Sequence, residues 1–287
     1  MAGFEEITLT LADGYRAYGR YWSATPQRGT VLYHHGIQSH CGWYEVSAEA
    51  LARAGFAVLQ VDRRGSGRNT VDRGHAASAE QLIGDALTAR DELARRSGTA
   101  EHHVIGVSWG GKLAVAAYVH DATTVQSITL VTPGLFPRVG VTKGEMAKIG
   151  FAMLYEPAKL FDIPLNDAEL FTTTPRWKQF FNTDEQTLRQ CTAGFFLASR
   201  RMDKIVAEFP RARAVPVHLF IAGDERIIDN ERTTSFVREL RWPQCQITCY
   251  DLARHSLEFE EDPTAYLGDL VSFIERQHAS PSARPGN

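Results

Sequence analysis

His102-His103-Val104-Ile105-Gly106-Val107-Ser108-Trp109-Gly110-Gly111-Lys112-Leu113-Ala114-Val115 is the stretch that decides the fold. Its first six residues form a short apolar run of the buried-strand type, and from Gly111 onward the residues open a helix. Between them, Gly106-Val107-Ser108-Trp109-Gly110 matches G-x-S-x-G. With 23 glycines in 287 residues, that pattern alone has modest weight, since independent draws yield about 0.1 matches per chain. The strand before it and the helix after it raise the weight. A serine on so sharp a turn is forced into a strained backbone conformation that lifts its Oγ clear of the sheet. A side chain at 106 or 110 would clash across the turn, and Gly111 lets the helix press on the strands. The helix start offers unpaired N–H groups and positive potential to a developing oxyanion. Ser108 is therefore the candidate nucleophile, and the backbone N–H of Trp109 one candidate donor to the oxyanion. The competing reading is a glycine-rich turn that happens to carry a serine.

Working outward, the same alternation recurs on both sides. GTVLYHHG and FAVLQVDRRG are apolar runs separated by the helical WYEVSAEALARAG, which stops at Gly55. SAEQLIGDALTARDELARRSG is a second helix, with Ser78 three residues before Gln81 as in a capping box. SITLVTPG follows the Ser108 helix, and PVHLFIAGDE, NERTTSFVREL, QITCYDL and DPTAYLGDLVSFIERQ close the chain in the same rhythm. At the start, FEEITLTLADGYRAYGRYW reads as a hairpin about Asp13-Gly14. The class is α/β: a mostly parallel sheet of about eight strands covered by helices on both faces.

Between residues 136 and 210 the alternation fails. This stretch is rich in aromatic residues, among them Phe151, Tyr155, Trp177, Phe180, Phe181 and Phe195. It reads as a mostly helical insertion, either a layer with a core of its own or a lid whose apolar underside faces a substrate channel. The expected organisation is a core of residues 1–135 and 211–278, a helical lid over 136–210, and a disordered tail over 279–287.

Composition narrows the function. The hydrophobic fraction is 44%, the charged fraction 23% and the net charge −3, ordinary for a globular protein and without the basic excess of a nucleic-acid partner. No signal peptide and no apolar stretch of membrane-spanning length is visible. Of the four cysteines, Cys245 and Cys249 lie on one strand-like run about 13 Å apart, too far to pair. Reduced thiols in the cytoplasm are the expectation. No Cys or His spacing suggests a metal. The Gly65–Gly67 turn lacks the Walker lysine of a phosphate loop; there Asp62 and Arg64 read as residues that tie the turn down.

A serine hydroxyl needs an adjacent base, and ten histidines compete. His255 is the best candidate, because it follows the last sheet strand. His102 and His103 read as residues on the surface side of a strand. His120 sits near a helix C-terminus, His34 and His35 shape a loop, and His75, His218 and His278 have no matching context. Asp203-Lys204 reads as a solvated pair.

These residues carry a resemblance. His34-His35-Gly36-Ile37-Gln38-Ser39-His40, Val61-Asp62-Arg63-Arg64-Gly65-Ser66-Gly67, Gly106 to Gly111 and His255-Ser256-Leu257-Glu258 fall in order at successive strand ends. Together they resemble the α/β-hydrolase superfamily, in its monoacylglycerol lipase and lysophospholipase branch, over roughly residues 5 to 275 and most weakly in the lid. The resemblance implies Ser108 as nucleophile, His255 as base and the Ile37 N–H as second oxyanion donor, with Gln38 a polar group at the pocket rim. It places an acid after the strand before last, and aligning Ile227-Ile228 puts Glu225 in that position, where the commoner residue is Asp. Asp229 and Asp224 are the alternatives. The expected activity is hydrolysis of carboxylic esters with an apolar acyl chain, with no cofactor, no metal and a lipid-like small-molecule substrate. An amidase or peptidase with the same three residues, or a non-catalytic scaffold of the same fold, is the alternative. An epoxide hydrolase or dehalogenase would carry Asp at position 108.

Overall fold

The computed structural model describes residues 3–279, so residues 280–287 of the expected tail lie outside it. Among the described residues ten strands and eight α-helices follow one another. The strands are β1 (Phe4–Thr10), β2 (Arg16–Trp22), β3 (Gly29–His34), β4 (Phe56–Val61), β5 (His102–Val107), β6 (Val125–Val131), β7 (Leu160–Asp162), β8 (Gln190–Thr192), β9 (Val217–Ala222) and β10 (Cys245–Tyr250). The helices are α1 (Glu45–Arg53), α2 (Ala79–Ser97), α3 (Trp109–His120), α4 (Lys143–Tyr155), α5 (Pro175–Thr183), α6 (Ala193–Val206), α7 (Asn230–Glu239) and α8 (Thr264–Ala279). Eight strands make the main sheet in the order β1-β2-β4-β3-β5-β6-β9-β10. Only β2 runs antiparallel to its neighbours, β1 and β4; the other pairings of this sheet are parallel.

Six strands, β3, β4, β5, β6, β9 and β10, therefore point their C-terminal ends the same way, where open α/β sheets place their ligands. β3, β5 and β9 are buried at every position, which is why they read as continuous apolar runs rather than as alternations. Helices α1 and α8 pack against each other on one face, and α2 and α3 on the other.

The segment between β6 and β9 holds α4, α5 and α6, but also a two-stranded antiparallel ribbon, β7–β8, that pairs Phe161 with Cys191. Three-residue strands are too short to show a period of two, so the sequence reads as helical there. Nor does the segment keep a core to itself. Its Ile149, Phe181, Phe195 and Met202 join one apolar cluster with Val107 and Trp109 of the sheet layer.

His102 and His103 correct a second expectation. Both are buried, at 2% and 0% exposure, because β5 lies inside the sheet and both its faces are covered. Burial pushes the pKa of His34 and His102 down to about 4 and that of His103 to about 3. Each then contributes stability that is full above the unfolded value of 6.5 and lost as pH falls towards the folded one. Between about pH 7 and 5 each loses about 2 kcal/mol. Glu258 acts the other way. Burial raises its carboxyl to about 7 although it accepts hydrogen bonds from the Ser47 N–H at 2.9 Å and hydroxyl at 2.6 Å. Its contribution is full below 4.5 and lost as pH rises through about 7, so it returns about 2 kcal/mol over the same interval. Burial pushes His35 and His218 down as well, so a net loss of several kcal/mol should lower the urea midpoint sharply between pH 7 and 5. An unchanged midpoint would mean that the buried histidines carry no such load.

Candidate active site

Ser108 joins β5 to α3 with φ at 51° and ψ at −124°. Positive φ costs a residue with a Cβ on the order of 1–3 kcal/mol, and the surroundings hold it in place. The Ser108 N–H donates to the Val131 carbonyl at 2.9 Å, and the Ser108 carbonyl accepts from Gly111 at 2.9 Å and Gly134 at 2.7 Å. The glycines are needed for close approach. A Cβ on Gly106 would stand 2.6 Å from Gly111 Cα, and one on Gly110 would strike the His34 carbonyl.

Two long-range partners meet this serine. The His255 Nε2 lies 2.9 Å from Ser108 Oγ. On the other side of the ring, Nδ1 lies 3.0 and 2.9 Å from the two oxygens of Glu225. A carboxylate only accepts, so Nδ1 carries the proton and Nε2 is left to accept from the serine hydroxyl. Burial raises the Glu225 carboxyl, but the adjacent His255 ring and the N–H groups of Ile227 and Ile228 outweigh it, and the net shift is downward. Thr132 donates to the His255 carbonyl at 2.9 Å, and the Phe171 ring stands edge-on to the imidazole at 5.9 Å. The other two acids lie elsewhere. Asp229 caps α7, accepting from the Arg232 N–H at 3.0 Å, and Asp224 pairs with Arg254 at 2.7 Å.

The N–H groups of Ile37 and Trp109 have no protein acceptor among the described residues, and both residues line the cavity at Ser108. Gly36 brings the Ile37 loop close, since a Cβ there would stand 3.3 Å from Ser108 Cβ. Arg63 holds this loop, a role the sequence reading left to its neighbours. Its buried guanidinium donates to the Gly36 carbonyl at 3.1 Å and the Ile37 carbonyl at 2.8 Å. It also stacks over the Trp109 ring at 4.7 Å and the Phe195 ring at 5.0 Å. Burial pushes its pKa down to about 10. One side chain thus touches the segments that present both free N–H groups. An arginine in a polar Gly-rich turn looks solvent-bound in sequence, and no local signal separates it from Arg64. Arg64 indeed ties the turn down, through Asp85 at 2.5 Å and Asp13 at 2.9 Å. Asp62 accepts from the N–H groups of Cys41 and Arg68 at 2.7 and 2.9 Å.

Two cavities meet at Ser108. The larger, about 600 Å³, runs past Ile37, Trp109, Pro137, Val141, Met146 and Phe196 towards α6. The smaller lies on the His255 side among Gly36, Ser39, Trp43, Tyr44 and Phe171. Gln38 lines the smaller one and is only 2% exposed, with neither amide atom paired to protein. It therefore sits in the wall of the inner cavity rather than at an outer rim. Asp203 also differs from expectation. Its Oδ1 lies 2.5 Å from Lys112 Nζ, one turn of α3 beyond the serine, and not against Lys204.

The family model described as serine aminopeptidase, S33, matches residues 25–262, well over half of the chain. The chain belongs to this α/β-hydrolase family. Its fold is shared with the monoacylglycerol lipase of Paleococcus ferrophilus, at a TM-score of 0.81 and 19% identity over 91% of this chain and 99% of that one. It is shared equally with a soluble variant of the monoglyceride lipase of Saccharomyces cerevisiae, at 0.80 and 16% over 98% and 96%. In sequence the chain is 25% identical to the uncharacterized YnbC of Escherichia coli K12, over 97% of this chain and 48% of that protein. It is 27% identical to the monoglyceride lipase of Rattus norvegicus over 44% of this chain and 42% of that one. The chain thus spans about half the length of these curated relatives. Among the described residues no helix is long and apolar enough to cross a membrane.

Proposed function

We propose that the protein is a serine hydrolase that cleaves carboxylic esters with an apolar acyl chain, of the monoacylglycerol or lysophospholipid type, through an acyl-enzyme. The observation that carries this reading is the continuous hydrogen-bonded series Glu225–His255–Ser108 opening onto a large cavity whose walls near the serine are apolar. In the first step His255 takes the serine proton as Oγ attacks the ester carbonyl, and the oxyanion is held by the N–H groups of Ile37 and Trp109. The alcohol leaves with a proton from His255, and water, deprotonated by the same ring, releases the acid. Glu225 keeps the ring in the required tautomer and stabilises its cation. The segment over 136–210 serves as the lid, with Met146 and Phe196 on its underside lining the cavity. The unpaired amide of Gln38 beside His255 favours an alcohol with hydroxyl groups, which would satisfy it.

The family description names an aminopeptidase, and amide cleavage would use the same three residues. A substrate with a free N-terminus brings an ammonium group that needs a carboxylate. The sole carboxylate lining the larger cavity is Asp203, and Lys112 already holds it. That observation favours the ester. Four free thiols accord with a reducing compartment, the cytoplasm.

The chain-length preference of p-nitrophenyl esters tests the acyl site. Each buried methylene is worth about 0.8 kcal/mol, so two in the cavity give more than about tenfold. The octanoate should exceed the acetate in kcat/KM by at least about that factor. Equal rates would remove the apolar acyl site, and faster turnover of a matched anilide would favour the peptidase.

A further inference from the structure

The larger cavity is apolar near Ser108 but not along its whole length. Helix α6 and the Ala207 that caps it contribute Phe196, Ser199, Arg200, Asp203, Lys204 and Ala207 to its wall, spaced by three and four so that they share one helical face. The charges on this face do not cancel. Asp203 is paired with Lys112, whose side chain is only 7% exposed. Lys112 also lies 3.4 Å from Ser199 Oγ, and that oxygen accepts the Trp109 indole N–H at 2.8 Å. The lone carboxylate is thereby tied into the wall beside the nucleophile turn. Arg200 and Lys204 have no ion-pair partner among the described residues, whereas the adjacent Arg201, outside the cavity, faces Glu80. The cavity thus carries two uncompensated positive charges, about 6 and 12 Å farther along the helix axis than Phe196.

We propose that the ester cleaved here carries an anionic group, a phosphate or carboxylate, that seats against Arg200 and Lys204 while its scissile carbonyl lies at Ser108. This inference rests on the esterase reading above and narrows its substrate class. A guanidinium fork and an ammonium are the side chains that take such groups by charge-assisted hydrogen bonds. The apolar stretch between the serine and the charges suits the hydrocarbon that separates an ester from a remote anion. A neutral ester of the same length leaves the two cations unmatched, and a cationic one is repelled. Because both side chains are open to solvent, the preference must weaken with salt.

The anion can be carried by the acyl chain or by the alcohol, and two substrate pairs separate these sources. The first pair is the mono-p-nitrophenyl ester of a long dicarboxylic acid against the p-nitrophenyl ester of the monocarboxylic acid of equal length. The second is lysophosphatidic acid against the monoacylglycerol with the same acyl group. With the full chain at low ionic strength, one pair should favour the anionic member in kcat/KM by at least about tenfold. That ratio should fall towards one in Arg200→Ala/Lys204→Ala and in high salt. It should stay unchanged in Arg201→Ala, and Arg200→Glu/Lys204→Glu should turn it in favour of the neutral member. A ratio near one in both pairs, or a preference that survives the double alanine variant, overturns the proposal. Absence of turnover on every ester overturns the esterase reading itself. Turnover of the neutral esters with no anion preference overturns this inference alone.

Discussion

Ser108→Ala should abolish labelling by a fluorophosphonate probe and lower kcat/KM on p-nitrophenyl octanoate by roughly 10⁵-fold. The oxygen it removes lies 2.9 Å from His255 Nε2, and no other hydroxyl among the described residues hydrogen-bonds to that nitrogen. What remains is the proposed oxyanion site and the cavity, which by themselves should retain some rate above that of water. Alanine keeps the Cβ and with it the strain at φ 51°, so its stability should stay close to that of the parent. Ser108→Gly adds a separable readout. Glycine adopts this φ at no steric cost, so that variant should be equally inactive but more stable, by about 1 kcal/mol. Labelling that survives in Ser108→Ala would place the nucleophile elsewhere and end the serine-hydrolase reading.

Glu225→Gln should lower kcat by roughly 10⁴-fold, with Asp229→Asn and Asp224→Asn close to the parent. The glutamine is nearly the same size, and its Oε1 can still accept from Ile227 and Ile228, which hold the present carboxylate at 2.7 and 3.3 Å. The amide then turns its NH₂ towards His255. Faced with a donor, Nδ1 must accept, and the ring proton moves to Nε2, where it points at Ser108 and cannot receive the hydroxyl proton. The defect is therefore in tautomer and charge rather than in packing, and it should appear in kcat more than in KM. Asp229 acts on α7 instead. Asparagine is nearly as good a helix cap, so that change should cost only a few tenths of a kcal/mol in stability. Asp224 is half exposed and pairs with Arg254 and Arg226, an arrangement worth little to catalysis or stability in water. A larger loss in Asp229→Asn than in Glu225→Gln would move the acid to position 229.

Glu225 shows how far the family resemblance reaches. Three acids crowd within six residues, and aligning Ile227-Ile228 on the family pattern favoured, over Asp229 and Asp224, the one that the fold brings to His255. Where they point follows from the turn after β9. Glu225 folds back under its own downstream N–H groups, Asp224 faces outward to Arg254, and Asp229 begins a helix. The histidines show the opposite limit. A pair of imidazoles opening a strand looks polar and external, yet β5 is a central strand, and His103 is buried with its Nδ1 2.7 Å from the Ser127 hydroxyl. Strand order in the sheet is set by pairings between distant segments, and no window of sequence around His103 contains them.

What the sequence determined by itself is what short-range sterics dictate. The glycines at 106, 110 and 111 make a strained strand-to-helix turn the way to accommodate Ser108, and runs of buried-strand residues separated by capped helices leave a mostly parallel α/β sheet as their economical packing. Tertiary structure alone decided the pairings across the 136–210 segment and the Ile37 loop. Arg63 over Trp109, Lys112 against Asp203 and the unpaired Gln38 beside His255 join residues tens of positions apart. The sequence shows the charge or polarity of these side chains but not what covers them. Burial makes the difference: once water is excluded, each polar group must find a partner in the fold or await one in the substrate.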